Sequence, residues 1–139
     1  MFINDAGLRE SIRLDISSAH SAYRNGEWKA ATVIAGAAME ALLLLGIENK
    51  TQLEIDDAID KLARKDRPLG KPEEWRLFQL IKVAEKLHII KELSAKQCDL
   101  ARDYRNLVHP GKVRTHQPCD RATALGALAG CEIVVRELS

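Results

Sequence analysis

The sequence predicts an all-α fold: one bundle of about five helices, with residues 1–139 forming one domain. Three observations predict it. Apolar residues recur at steps of three and four along most of the chain, the period of one helix face. No segment alternates β-branched and polar residues over the length of a strand. Aromatic residues make up only 4% of a chain that is 46% hydrophobic, so Leu, Ile, Val and Ala must fill the core, which favours helix packed on helix. A domain of this length buries roughly two-thirds of the surface its unfolded chain exposes, enough for a core without disulfide or metal.

Taken in order, Leu8, Ile12, Ile16, Ala19 and Tyr23 trace the apolar stripe of a first helix. Asn25-Gly26 should end it. From Glu27 to Leu45 the chain is apolar on almost every face, as a central helix must be, and Gly36 among alanines would let a neighbour approach closely. Thr51 and Glu54 have the spacing of a capping box, opening a helix that runs to about Lys65. The stretch from Arg67 to Pro72 reads as a loop. Pro72 suits a helical first turn, followed at helical spacing by Trp75, Leu77, Phe78, Leu80, Ile81, Ala84 and Leu87. Ser94 is placed to cap a helix from Ala95 to about His109, which Pro110-Gly111 stops. Lys112 to Pro118 is polar and is expected to be irregular, and Asp120 can cap a last helix from Arg121 to Leu138.

The formal net charge is +1, which argues against a protein that coats nucleic acid by bulk electrostatics and leaves room only for a local basic patch. Cys98, Cys119 and Cys131 form no CxxC pair and lack the dense, even spacing of a secreted scaffold, so a reducing, cytoplasmic setting is expected. The N-terminus carries no basic stretch followed by an apolar run, and the longest nearly uncharged run, Ala30 to Gly46, contains Glu40. Neither export nor membrane insertion is expected.

The chemistry-bearing stretch is Arg102-Asp103-Tyr104-Arg105-Asn106-Leu107-Val108-His109, followed by Pro-Gly-Lys. On a helix, Arg102, Asn106 and His109 fall within about 60° of one another, with Arg105 flanking them. Arg105, Lys112 and Arg114 add phosphate-binding candidates. Together with Arg102 they outnumber Asp103, the single acid in that interval, making it the anion-holding part of a nearly neutral chain. A guanidinium offers phosphate a planar fork of donors and can meet charge developing in a transition state. An imidazole exchanges protons near neutral pH. No Asp, Glu and His cluster at metal-ligand spacing accompanies them, so a two-metal nuclease is not expected and no cofactor is called for; any phosphodiester chemistry there would have to use RNA's own 2′-hydroxyl as nucleophile. From the residues alone, the same stripe also fits a solvated arginine face with a histidine compensating the helix dipole.

The Arg102-Asp103 pair, the five residues that follow and His109 resemble the signature of the HEPN family, in which an Arg and a polar residue precede a His near the end of a long helix. The apolar helix ending at Ala35 to Leu43, the Arg-Asn-Leu-Val-His-Pro-Gly string and the closing Ala-Leu helix come in an order similar to that family's, so the resemblance spans roughly Ser11 to Leu138. It implies a HEPN-like helical bundle, with Arg102 and His109 as a catalytic pair and Asp103 as the polar companion. Many members carry Asn there, and Asn106 offers an amide three residues later. The implied activity is metal-independent cleavage of RNA, by a homodimer, in a toxin-antitoxin or defence setting. The alternative is a non-catalytic module that dimerises, binds a nucleotide, or pairs with a nucleotidyltransferase-like antitoxin or other defence protein.

Glu40, a carboxylate in an apolar helix, needs a partner. It is either a group orienting Arg102 or Arg105, or a structural ion pair between helices. His20 and His88 read as surface or boundary residues, His116 as a solvated loop histidine, Trp28 and Trp75 as packing, and the cysteines as buried or inert thiols.

Overall fold

The computed structural model describes residues 6–107 and 119–139, and within them it is all-α: six α-helices and no strand. They are α1 (Ala6–Arg24), α2 (Trp28–Glu48), α3 (Gln52–Asp60), α4 (Leu77–Lys86), α5 (Glu92–Asn106) and α6 (Arg121–Leu138), with single 3₁₀ turns at Arg64–Asp66 and Pro72–Glu74. The expected helix extending to His109 is described only as far as Leu107. His109, Lys112, Arg114 and His116 lie outside the described residues.

α2 is the axis, contacting α1, α4, α5 and α6. Met39, Leu42 and Leu43 on it, Leu80, Ile81 and Val83 on α4, and Val134 on α6 are at most 1% exposed and form the centre of the core. α2 is also the one described helix long and apolar enough to cross a membrane, with a mean hydropathy of 2.0. Since 56% of that window is buried inside the bundle, packing accounts for its apolarity. α1 lays Ile12, Ala19 and Ala22 on the core and ends as Asn25-Gly26 requires. Its Tyr23 meets Trp28 edge to face, ring centroids 5.4 Å apart.

Two caps form as the sequence predicts. Thr51 Oγ1 accepts from the Glu54 amide while Glu54 accepts from the Thr51 amide. Asp120 and Thr123 exchange the same reciprocal pair at the start of α6.

Three boundaries differ from expectation, each for a tertiary reason. α3 stops at Asp60, short of Lys65, because Arg67 folds back and donates to the carbonyls of Asp60 and Leu62, both at 3.0 Å, satisfying groups that the helix would otherwise have used. Pro72 opens only a 3₁₀ turn. Trp75 and Arg76 then run extended, Trp75 is buried with its indole donating to the Gly70 carbonyl at 3.1 Å, and α4 begins afterwards with Gln79 accepting from the Arg76 amide. Ser94 is not a cap: α5 starts earlier, at Glu92, and the Ser94 hydroxyl donates to Glu137 on α6 at 2.6 Å.

The α5–α6 contact is built from small residues. A Cβ on Gly130 would stand 2.5 Å from the Ala101 Cβ, and one on Gly126 would strike the Tyr104 ring. Gly36 does admit a neighbour, as its setting among alanines implies, and that neighbour is Arg105 of α5.

Candidate anion-binding cleft

The C-terminal half of α5 faces the extended segment that leads into α4, and between them lies a cleft of about 520 Å³. Arg102, Arg105 and Asn106 line it from α5, Glu40 from α2, and Arg76 and Phe78 from the opposite wall. Four residues singled out in the sequence are thus brought together. Asp103 is not among the lining residues. It is largely exposed, and its Oδ1 accepts from Arg102 Nη2 at 3.3 Å.

Arg102 is held in two ways. Its guanidinium carbon sits 5.8 Å from the centroid of the Phe78 ring, a cation–π distance. One terminal nitrogen reaches Asp103. Its Nε is buried and has no hydrogen-bond partner among the described residues. A buried donor left unpaired costs about 1–3 kcal/mol.

Arg105 lies lengthwise across Gly36, its Cγ and Cδ within 3.0 Å of where a Cβ would be, and its Nη1 donates to Glu40 Oε2 at 3.3 Å. Glu40 therefore pairs with Arg105 and joins α2 to α5. Both side chains are about a third exposed, which keeps the pair's worth to about 0–1 kcal/mol. Glycine at position 36 is what allows so long a side chain to cross α2 and still reach a carboxylate one turn farther on.

Arg76 was not legible as a site residue, nor was Phe78. Arg76 sits between two buried side chains, Trp75 at 5% and Leu77 at 2% exposure, while its own side chain is exposed. An exposed arginine flanked by buried residues in an extended stretch is a signal only once the helix start is known to be Leu77 and not Pro72.

The cleft's lining holds three guanidiniums and one carboxylate. Nearby on α5, burial raises the Asp99 pKa, with Arg102 and Lys82 opposing and Asp103 adding to the rise. Elsewhere the histidine and cysteine readings resolve simply. His20 meets Glu132 at 3.3 Å across α1 and α6. His88 is exposed and left-handed, φ 60°, at the end of α4. Burial pushes the Cys98 and Cys131 thiols up to about 12. Cys119 is half-buried between the hydroxyls of Thr32 and Thr123.

Compared with known proteins, the sequence matches no family model and no curated protein, and the fold matches no solved structure.

Proposed function

We propose that this chain is a HEPN-like domain that binds RNA in the α5 cleft and cleaves it without a metal, acting in the cytoplasm as a homodimer. The observation that carries the reading is the convergence of Arg102, Arg105 and Asn106 with Arg76 in one concave site. Guanidinium forks and an amide match the oxygens of a phosphodiester.

In the proposed reaction the RNA 2′-oxygen attacks the adjacent phosphorus and loses its proton to a base. The P–O5′ bond breaks, the leaving oxygen takes a proton, and the products are a 2′,3′-cyclic phosphate and a 5′-hydroxyl. Arg102 meets the charge that builds on the non-bridging oxygens. His109, three residues beyond Asn106 in sequence, serves one of the two proton transfers, and the same residue of a second copy serves the other.

The test is an assay of purified protein on varied RNAs in EDTA. Wild type should cut RNA and spare DNA, and His109→Ala should lose about 10²–10⁴-fold in rate while keeping its helicity. Arg102→Lys should fail nearly as badly as Arg102→Ala, because an ammonium keeps the charge and loses the fork. Sedimentation should give a dimer. A monomer with activity linear in protein would refute the shared site.

One observation favours a second reading. Two of the cleft's arginines already face carboxylates, Arg105 with Glu40 and Arg102 with Asp103, as expected of a binding module that needs shape more than free charge. Wild type that leaves every RNA intact would select that reading, with a nucleotidyltransferase-like or other defence protein as the partner.

A further inference from the structure

We infer that Arg76, on the wall opposite α5, is a substrate-binding residue that holds the phosphate flanking the one on Arg102, so that the cleft takes a single strand with at least two consecutive phosphates. This rests on the RNA reading above and deepens it.

Among the cleft's arginines, Arg76 alone has no carboxylate partner within the described residues: Arg105 faces Glu40 and Arg102 faces Asp103. Its backbone is fixed with unusual care. Trp75 before it is buried and tied through its indole to Gly70, Leu77 after it is buried, and its own amide donates to Gln79 Oε1 at 2.9 Å. An exposed cation on a pinned backbone loses little entropy on binding except that of its own side chain. It belongs to a different element from Arg102, so a ligand touching both must cross the cleft. A single phosphate occupies one fork, whereas two forks on facing walls call for a chain of phosphates. A space of about 520 Å³ is of the size that holds small ligands, in the range of roughly 300–1,000 Å³, and admits an unpaired nucleotide unit and not a duplex.

The experiment measures binding of a fluorescent 2′-O-methyl RNA decamer in EDTA across a salt series. Methylation removes the nucleophile, so binding is read without cleavage. Arg76→Gln should weaken binding about tenfold, the worth of one charged hydrogen-bonding contact. The slope of log K against log salt should become shallower by about 0.7, the value for one single-strand phosphate contact. Arg76→Lys should keep the slope. Arg9→Gln, on α1, which does not line the cleft, should match wild type, and a dinucleotide with one phosphodiester should compete equally well against wild type and Arg76→Gln. Thermal midpoints of the variants should agree, since the side chain is exposed.

A wild-type slope and affinity in Arg76→Gln would overturn the inference, as would an equal loss for the dinucleotide. Cleavage of unmodified RNA by wild type is scored separately. Binding without cutting defeats the catalytic reading and leaves Arg76 to be judged by its slope; cutting with an unchanged slope defeats Arg76 alone. Wild type that binds no RNA defeats both.

Discussion

α5 presents two sides that are built on opposite principles. Toward α6 it meets a surface from which side chains have been removed: Ala101 lies on Gly130 and Tyr104 on Gly126, with Cys98 buried beside them. Toward the cleft it carries Asn106 and two arginines, Arg102 and Arg105, whose long side chains reach Phe78 on α4 and Glu40 on α2. The first side is fixed by backbones that can approach because nothing intervenes. The second is fixed by flexible side chains that can swing. Substitutions on the first side should therefore act on stability, and those on the second on ligand binding.

Thiol chemistry gives the largest contrast. Burial raises Cys98 and Cys131 to about 12, leaving about a thousandfold fewer thiolates near neutral pH than an ordinary cysteine has, and thiolate is the reactive form. One thiol per native chain, Cys119, should react with an aromatic disulfide reagent. The other two should react only in denaturant. Rapid labelling of all three in the native protein would show that the α5–α6 side opens readily and would break the comparison.

Next in size is a pair of glycine substitutions. Gly130→Ala places a Cβ at 2.5 Å from that of Ala101 and close to Met39 Sδ, and neither backbone has room to yield, so urea denaturation should show a loss of about 1–3 kcal/mol. Gly36→Ala meets the Arg105 Cδ at 2.7 Å, the middle of a chain that can turn aside. The gain in helix propensity of about 1 kcal/mol offsets a partly exposed ion pair worth about 0–1 kcal/mol, so stability should scarcely change while Arg105 leaves Glu40. Equal losses in the two variants would remove the distinction between the sides.

The same distinction explains what the sequence revealed. Helix identity was legible because it rests on local signals, such as the Thr51–Glu54 box, the Asp120 cap and the steps of three and four in α1. Arg102, Arg105 and Asn106 were legible for the same reason, since a single helix places them. Glu40 was legible through the cost of an unpaired charge in an apolar run, and only the choice between its two partners required the structure. What was hidden depends on residues distant in sequence. Ser94 looks like a cap until Glu137, forty-three positions away, takes its hydroxyl. Pro72 looks like a helical first turn until burial of Trp75 delays α4 to Leu77. That delay is also what turns Arg76 into the cleft, and so its place could not be read before the boundary was known.

The smallest effect is expected at Asp99, on the border between the two sides. Its pKa is raised, chiefly by burial, against the pull of Arg102 and Lys82, the reverse of the usual carboxylate in a folded protein. The folded state therefore holds this proton more tightly than the unfolded chain does. Stability from that preference is complete below the unfolded value, near 3.8, and is lost as pH rises through the higher folded value. At neutral pH the ionised group is a net burden. Asp99→Asn should then melt slightly above wild type at pH 7, with the gap closing as pH falls below 3.8, where the aspartate is protonated in both states and as neutral as the asparagine. Removing a carboxylate that attracts Arg102 should also leave that guanidinium freer to meet an anion, so RNA affinity should rise modestly in the same variant. A midpoint below wild type at pH 7, with a deficit that acid removes, would mean that Asp99 works as an ion-pair partner of Arg102, and would assign it to the cleft side of α5 and not to the packed one.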